Sequence, residues 1–198
     1  MIRILDIVIS LFGLILFSPV LIVIGITIKL FSNGPCLFTQ ERVGLNGKVF
    51  NIYKYRTMLV NSNNHSQITI SDRDPRVTKI GFLLRKFKLD ELPQLFNVLM
   101  GDMSIVGPRP EVPKYVKLYN PSQRRVLTIA PGITDWASIY YRDEATLLGK
   151  SSNPEYEYVN KIMVHKLDIN LRYINNYTVF EYFKVLIATI FYVFYKVK

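Results

Sequence analysis

The chain has few of the residues that build covalent or metal-stabilised scaffolds. Cys36 is its single cysteine, which excludes an internal disulfide and a cysteine-built zinc site. The two histidines, His65 and His165, are not spaced as metal ligands, so we interpret both as surface or core-edge side chains. Acidic residues are also scarce, 15 against 25 lysines and arginines. The net charge of +10 predicts an anionic partner: nucleic acid, an anionic membrane surface or a phosphorylated substrate.

Charged residues are absent from one long segment near the start of the chain. Residues 7–28 carry none, and a helix of that length spans ~33 Å, enough to cross a bilayer core of ~30 Å. The apolar run is long for a signal peptide, and no cleavage site of small residues follows it. We therefore expect this segment to stay on the protein and hold it to a membrane.

Ser18 and Pro19 lie near the middle of this segment. Pro19 removes one helical hydrogen bond, and the Ser18 hydroxyl can donate to the carbonyl that is freed. Arg3 and Lys29 flank the segment, and both cations prefer the cytoplasmic face. Two interpretations stay open: a kinked helix that crosses the membrane once, and a re-entrant helix over residues 1–31 that enters and leaves on one side.

A β-hairpin is predicted next. Asn46-Gly47 separates two runs of strand-forming residues, which is a strong signal for a tight turn. On the second run, a period of two places one set of side chains on one face: Phe50, Ile52, Lys54, Arg56 and Met58. The two cations of this face are either strand-end surface or a phosphate-binding pair.

Most of the remaining chain is predicted to be helical. We expect helices from about residue 80 to 87, from 94 to 100, after Asn120-Pro121, and from Asn153-Pro154 to about Asn176. Thr178 and Glu181 form a capping box before an aromatic helix, residues 179–195, which suits the membrane interface. The predicted fold class is therefore α+β, mainly helical, with a small membrane-seated domain.

The segment KLDELPQL, residues 88–95, places Asp90 and Glu91 side by side in a basic region. A solvated surface or a helix cap explains such a pair, but so does chemistry on a phosphate. Neighbours on a regular helix point ~100° apart, so the carboxylates converge only if the backbone bends, and we expect Pro93 to bend it. A converged pair suits nucleophilic chemistry with Mg²⁺. Asp72 and Asp74 also resemble metal ligands, although before a proline they favour a turn.

The loop VGPRPE, residues 106–111, presents Arg109 between two prolines. Prolines on both sides restrict the backbone, and a fixed guanidinium is suited to bidentate phosphate recognition. A surface turn explains the loop equally well when it is taken alone.

In this order, the segments resemble the monotopic phosphoglycosyl transferases, bacterial sugar transferases that begin lipid-linked glycan assembly. The resemblance runs over the whole chain and is carried by the Ser-Pro-broken apolar segment, FNIYKYRTM, DPRVTKIGFLLRKFKLDELPQLFNVLMGDMSIVGPRPE and APGIT. The short chain is similar to the small stand-alone members typified by PglC.

The resemblance implies a two-step transfer. Asp90 would attack the β-phosphorus of a UDP-sugar, release UMP and hold the phosphosugar until polyprenol (undecaprenyl) phosphate accepts it. Glu91 would bind metal or activate the acceptor, and Asp90 and Glu91 would hold Mg²⁺ as the cofactor. The positions that correspond to phosphate-binding residues are Lys54, Arg56, Arg85 and Arg109.

The resemblance also implies the re-entrant form of residues 1–31, broken at Ser18 and Pro19. Residues 32–198 would form a catalytic domain on the cytoplasmic face of the bacterial inner membrane. Its partners would be a UDP-sugar, polyprenol phosphate and membrane lipid rather than nucleic acid, with a homo-oligomer left open. The sugar cannot be read from the sequence, although likeness to the small members favours an N-acetylated one. A membrane-anchored binding protein for nucleic acid or anionic lipid and an inactive scaffolding homologue remain as alternatives.

Overall fold

The computed structural model describes residues 1–60 and 74–195, with side chains to residue 192, so His65 and Asp72 lie outside the described residues. The strands are β1 Leu37–Val43, β2 Val49–Tyr55, β3 Ser104–Val106 and β4 Gly132–Thr134. The helices are α1 Ile2–Phe31, α2 Lys79–Lys86, α3 Gln94–Met100, α4 Pro113–Val116, α5 Trp136–Tyr140, α6 Glu144–Gly149, α7 Pro154–Glu157, α8 Met163–Asn175 and α9 Val179–Tyr195. The predicted mainly helical α+β class is confirmed.

The β1–β2 hairpin forms where the sequence predicts it. The strands pair antiparallel from Leu37 opposite Tyr55 to Val43 opposite Val49. The connection is longer than a two-residue turn. It contains two residues with positive φ, Asn46 (54°) and Gly47 (80°), and asparagine and glycine are the residue types that tolerate this backbone conformation best.

The predicted alternation on β2 holds only in its first part. Phe50 and Ile52 are buried, but Tyr55 and its neighbour Arg56 are both buried as well. The strand ends at Tyr55, so the period of two no longer sets the direction of the Arg56 side chain.

The short strands β3 and β4 pair in parallel and approach unusually closely at their glycines. A Cβ on Gly132 would lie 2.1 Å from the backbone nitrogen of Gly107, far inside van der Waals contact. The APGIT segment and the VGPRPE loop can therefore lie against each other only because both positions are glycine.

The helix starts follow the predicted capping chemistry. Asn153 accepts a hydrogen bond from Tyr156 N at 3.1 Å, and the helix continues through a π-turn to the end of α8 at Asn175. Asn120 and Gln123 cap each other reciprocally, but the helix that follows is a 3-10 helix. Thr178 accepts from Glu181 N at 3.2 Å, but the predicted capping box is only half formed, because the Glu181 carboxylate accepts from Trp136 Nε1 at 2.9 Å instead.

Among the described residues, the buried side chains form three clusters. The first joins the end of β1 to α4, α6 and α8, and the second joins β2, α3, β3 and α9 to the first half of α1. A smaller third cluster packs Ile24 and Ile28 of α1 against Tyr55 and Leu84. The helix α1 thus contributes to two of the three clusters.

Two residues hold the first half of α1 on the globular part. Asp6 is buried, and its Oδ1 accepts three hydrogen bonds of 2.9 Å, from Ser104 Oγ, Ile105 N and Tyr182 OH. The guanidinium of Arg3 donates to carbonyls at the end of α3.

The second half of α1 is held in a similar way. Tyr55 donates through its hydroxyl to Leu21 O at 2.7 Å, and the Arg56 guanidinium donates to the carbonyls of Ser32 (2.9 Å) and Asn33 (2.6 Å). Both halves of α1 therefore contact the same globular part.

The Ser18-Pro19 step lies inside α1, which continues helical from Ile2 to Phe31. Pro19 cannot donate to Ile15 O, and the Ser18 hydroxyl donates to that oxygen instead, at 2.8 Å, as predicted. By length and composition this helix is apolar enough to cross a membrane. The re-entrant bend stays a prediction.

Candidate active site

The acid pair lies on a short 3-10 turn, Leu89–Glu91, between α2 and α3. The chain reverses at Lys88, which has a left-handed backbone (φ 58°). Leu92 and Pro93 are helical, and Pro93 leads directly into α3. The prediction of a bend at Pro93 is therefore wrong. The chain bends at Lys88, before the two acids, and Pro93 fits the start of α3 because a proline in the first turn of a helix costs no hydrogen bond.

Glu91 is the centre of a partly buried ion cluster, in which the side chains of Glu91, Lys54 and Arg109 are 13%, 20% and 31% exposed. The Arg109 guanidinium binds it with both terminal nitrogens, Nη1 to Oε2 at 3.1 Å and Nη2 to Oε1 in a shorter contact. Lys54 Nζ donates to the same Oε1 at 2.8 Å. Burial alone would raise the pKa of Glu91, but the charges of Arg109 and Lys54 outweigh it and hold the pKa well below its usual range. Glu91 is therefore a fixed anion that orients two cations.

Asp90 has different surroundings, although it is the next residue. It is 8% exposed, and its buried Oδ1 has no hydrogen-bond partner among the described residues. Burial raises the pKa of Asp90, the charge of Glu91 adds to this, and Lys54, Lys88 and Arg85 oppose it. The cluster thus pairs a carboxylate whose two oxygens accept from cations with one whose buried oxygen is unpaired.

Two of the four predicted phosphate-binding residues, Lys54 and Arg109, join this cluster directly. Arg85 donates through Nε to Thr57 Oγ1 at 2.9 Å, and its charge acts on Asp90, so it borders the site. The structure does not bring Arg56 to this cluster, because its guanidinium is bound to carbonyls at the end of α1.

Asp135 is a residue of this site that the sequence interpretation missed. It is 1% exposed, its Oδ1 caps α5 by accepting from Ser138 N at 2.6 Å, and its Oδ2 accepts from the backbone nitrogen of Arg109 at 3.0 Å. Asn170 on α8 donates to the same Oδ2 at 2.8 Å. Asp135 thereby fixes the Arg109 backbone to two helices. The Asp-x-x-Ser spacing signalled the helix cap but not the contact with Arg109.

Asp74, which resembled a metal ligand, and His165, which we interpreted as a surface or core-edge side chain, both have structural partners. Asp74 accepts from Arg76 N at 3.0 Å and from Arg76 Nε at 2.9 Å, which makes the predicted turn. The Nδ1 of His165 shares a hydrogen bond of 2.7 Å with Tyr141 OH.

The residues around Asp90 fit a magnesium ion that is shared with a phosphorylated substrate. Within residues 1–60 and 74–195 no group of three or more His, Cys, Asp or Glu side chains could form a metal cage. Mg²⁺ does not need one, since it is commonly held by one or two carboxylates together with substrate phosphates. The Asp90 carboxylate suits such a ligand, whereas both Glu91 oxygens already accept from cations.

The chain has relatives among the undecaprenyl-phosphate sugar-phosphate transferases. The chain is similar to the UDP-glucose:undecaprenyl-phosphate glucose-1-phosphate transferase of Escherichia coli strain K12, at 38% identity over 194 residues, which cover 94% of this chain and 38% of that protein. It is also similar to a putative undecaprenyl-phosphate N-acetylgalactosaminyl 1-phosphate transferase of Bacillus subtilis strain 168, at 46% identity over 117 residues, which cover 59% of this chain and 65% of that protein.

A further relative matches over nearly its whole length. The uncharacterized sugar transferase EpsL of Bacillus subtilis strain 168 is 35% identical over 188 residues, which cover 95% of this chain and 84% of that protein. The bacterial sugar transferase family matches residues 1–196. The chain therefore belongs to the bacterial sugar transferase family.

Proposed function

We propose that the chain transfers a phosphosugar from a UDP-sugar to polyprenol phosphate with release of UMP, as the first membrane step of bacterial glycan assembly. The observation that carries this proposal is the cluster in which Asp90 keeps an unpaired oxygen beside two cations, Lys54 and Arg109, that Glu91 orients. The Escherichia coli and Bacillus subtilis relatives, which are named as undecaprenyl-phosphate sugar-phosphate transferases, support it.

In the proposed first step, a carboxylate oxygen of Asp90 attacks the β-phosphorus of the UDP-sugar. The bond from that phosphorus to the oxygen bridging the α-phosphate breaks, and UMP leaves with this oxygen. The sugar stays attached through its phosphate to Asp90. The positive charges of Lys54, Lys88 and Arg85 favour the ionised carboxylate, which is the attacking form.

In the second step, an oxygen of polyprenol phosphate attacks the same phosphorus. The bond between phosphorus and Asp90 breaks, the carboxylate is regenerated, and a polyprenyl-diphosphate-sugar is released. No proton transfer is needed in either step, because both nucleophiles are already anions.

The remaining residues of the cluster bind and orient the phosphates. Arg109 and Lys54 are held by Glu91 before substrate arrives, so little conformational freedom is lost when they contact the diphosphate. Asp90 is our proposed protein ligand for Mg²⁺, and a metal-binding role for Glu91 stays a prediction. Bound Mg²⁺ would neutralise charge on the diphosphate and so favour attack by an anion.

We infer that α1 seats this site at the membrane as a re-entrant helix on the cytoplasmic face of the inner membrane. Contacts at Asp6 and at Leu21 hold both halves of α1 on the globular part, which favours both ends lying on one side of the bilayer. Large apolar side chains between and around these contacts are exposed, among them Phe12, Ile15, Ile22 and Val23. Exposed aromatic residues of α9, Phe180 and Phe191, suit the lipid interface.

The sugar remains a matter for experiment, and an N-acetylated sugar is our proposal. The relatives' names include both glucose and N-acetylgalactosamine, so family membership does not choose between them.

The test uses the full chain purified in detergent or nanodiscs with Mg²⁺ and undecaprenyl phosphate. UMP release is measured across a panel of UDP-sugars, with the Asp90→Asn variant in parallel. We expect UMP with one N-acetylated sugar and a loss of more than about a thousandfold in the variant, since no other group replaces the nucleophile. Release of UDP in place of UMP would contradict the mechanism.

Two further outcomes address the alternative functions. A binding protein for anionic lipid or nucleic acid would release no UMP, and Asp90→Asn would leave its binding intact. For an inactive homologue, no phosphosugar adduct would be trapped on Asp90 when acceptor is withheld.

A further inference from the structure

Gln94 is a buried polar residue whose side chain has no hydrogen-bond partner. It is 0% exposed, and neither Oε1 nor Nε2 is paired with any group in the part of the chain that the structure describes. A buried amide without a partner is costly, and such groups in native proteins often mark a ligand or a catalytic role.

A second buried amide on the same helix shows the contrast. Asn97 is also 0% exposed, but its Oδ1 accepts from Tyr53 N at 3.0 Å and its Nδ2 donates to Asn51 O at 2.8 Å. Asn97 is therefore a structural link between α3 and β2. Gln94, one turn earlier, has no such link.

Asp90 supplies the complementary group. Asp90 lies in the 3-10 turn that leads through Leu92 and Pro93 into α3, so Asp90 and Gln94 are four positions apart on successive turns of a helical backbone. On an α-helix, side chains at this spacing are neighbours, and Gln–Asp pairs form hydrogen bonds. The Oδ1 of Asp90 is an unpaired buried acceptor, and the Nε2 of Gln94 is an unpaired buried donor.

We propose that Gln94 is a positioning residue for Asp90, whose Nε2–H donates to Asp90 Oδ1 during the reaction and leaves the other carboxylate oxygen to attack. The inference rests on the proposed role of Asp90 as nucleophile. A carboxylate held by one oxygen presents the other in a fixed direction, which lowers the orientational cost of reaching the transition state. Glu91 does not supply this contact to Asp90, because it accepts hydrogen bonds and does not donate them.

A merely structural role makes the opposite prediction for stability. If Gln94 served the fold, replacing it with an apolar residue of similar length would lower the melting temperature. If it serves the reaction, the same change removes two unpaired polar atoms from the interior and leaves stability unchanged or raises it, while activity falls.

The test compares Gln94→Met with the matched control Asn97→Leu in the full chain, using UMP release with Mg²⁺, undecaprenyl phosphate and the active UDP-sugar. For Gln94→Met we expect a melting temperature at or above that of the unmodified chain. Its kcat should fall by about 10–100-fold with an unchanged KM for the UDP-sugar, as loss of a hydrogen bond to a charged group predicts. Asn97→Leu should lower the melting temperature by several degrees.

Gln94→Glu is the second variant, because it keeps the shape and removes the N–H donor. Its kcat should fall at least as far as that of Gln94→Met. An unchanged kcat in either variant, or a melting temperature of Gln94→Met as low as that of Asn97→Leu, would overturn the proposal.

The unmodified chain and Asp90→Asn separate this inference from the proposed function. If the first releases UMP and the second does not, the proposed function stands whatever the Gln94 variants show. If Asp90→Asn stays active, or if the unmodified chain releases no UMP with any sugar, both proposals fall.

Discussion

At the scale of single residues, Asp90 and Glu91 differ more than their adjacency suggests. Burial opposes ionisation of both carboxylates, but the charges of Arg109 and Lys54 reverse the outcome for Glu91. The pKa of Asp90 therefore lies above its ordinary value, and that of Glu91 lies well below. The ionised form of Asp90 costs folding free energy at neutral pH, whereas the ionised form of Glu91 stabilises the fold.

The Asp90→Asn variant should be inactive and more stable at pH 7. Removing a buried charge whose pKa is raised is expected to stabilise the fold and raise the melting temperature. The gain should vanish below about pH 4, where Asp90 is protonated in both states. Differential scanning fluorimetry from pH 3.5 to 7 measures this, with exposed Asp168→Asn as the control that should change nothing. A lower melting temperature for Asp90→Asn at pH 7 would contradict the assignment.

The Glu91→Gln variant should behave in the opposite sense. It leaves Arg109 and Lys54 without their anion, which should lower stability at pH 7 by about 2–3 kcal/mol. The stabilisation by Glu91 is present above its unfolded pKa of about 4.3 and is lost as pH falls towards the lowered folded pKa. The gap in melting temperature between variant and unmodified chain should therefore narrow below pH 4. A difference in melting temperature that stays constant from pH 7 to pH 3 would contradict the stabilisation of the fold by ionised Glu91.

At the scale of elements, the site depends on where loops and helices are forced together. The Arg109 loop lies against β4 through the Gly107–Gly132 contact, and Asp135 ties the same loop to α5 and α8. The α2 helix is pressed on the end of the hairpin in a comparable way, since a Cβ on Gly81 would lie 2.1 Å from Thr57 O. Small residues at these contacts set the position of Arg109 and Arg85.

The Gly132→Ala variant tests the first of these contacts. The added methyl group would overlap the Gly107 backbone, so β3 and β4 must separate and carry the Arg109 loop with them. We expect a melting temperature lower by several degrees and kcat/KM for the UDP-sugar reduced at least tenfold. Gly25→Ala on α1 is the matched control, because a Cβ there meets nothing within 4 Å. Equal effects of both substitutions would argue against the contact as the cause.

At the scale of the whole molecule, the question is how α1 meets the membrane. The single Cys36 makes this measurable, because Cys36→Ser gives a cysteine-free background. In that background, Ile4→Cys and Phe31→Cys place one thiol at each end of α1, where both side chains are largely exposed. Sealed inside-out vesicles are then treated with a membrane-impermeant thiol reagent. If α1 is re-entrant, the cysteine at each end of the helix should be labelled. Labelling of only one end would show a crossing helix.

The sequence predicted elements better than contacts. The hairpin, α3 and the continuous helix to Asn175 follow from local turn, proline and capping signals. The direction of Arg56 could not be predicted, because the strand ends just before it. Asp135 gave no functional signal in the sequence, because its contact with the Arg109 backbone joins positions 26 residues apart. Gln94 gave none either, because only the fold shows that its buried side chain is unpaired among the described residues. The strand pattern singled out Lys54 and the flanking prolines singled out Arg109, and the resemblance then implied phosphate binding for both. Their joint contact with Glu91 could be seen only in the fold.

The Asp6–Tyr182 hydrogen bond has a consequence for biogenesis. Its partners are 176 positions apart, so the ribosome releases Tyr182 roughly ten seconds or more after Asp6, at 5–20 residues per second. During that interval the apolar α1 is already exposed, and the carboxylate of Asp6 does not yet have its hydrogen bond from the Tyr182 hydroxyl. Final docking of α1 must therefore wait for the last helix, and a nascent chain cut short before α9 should remain a substrate for membrane quality-control proteases.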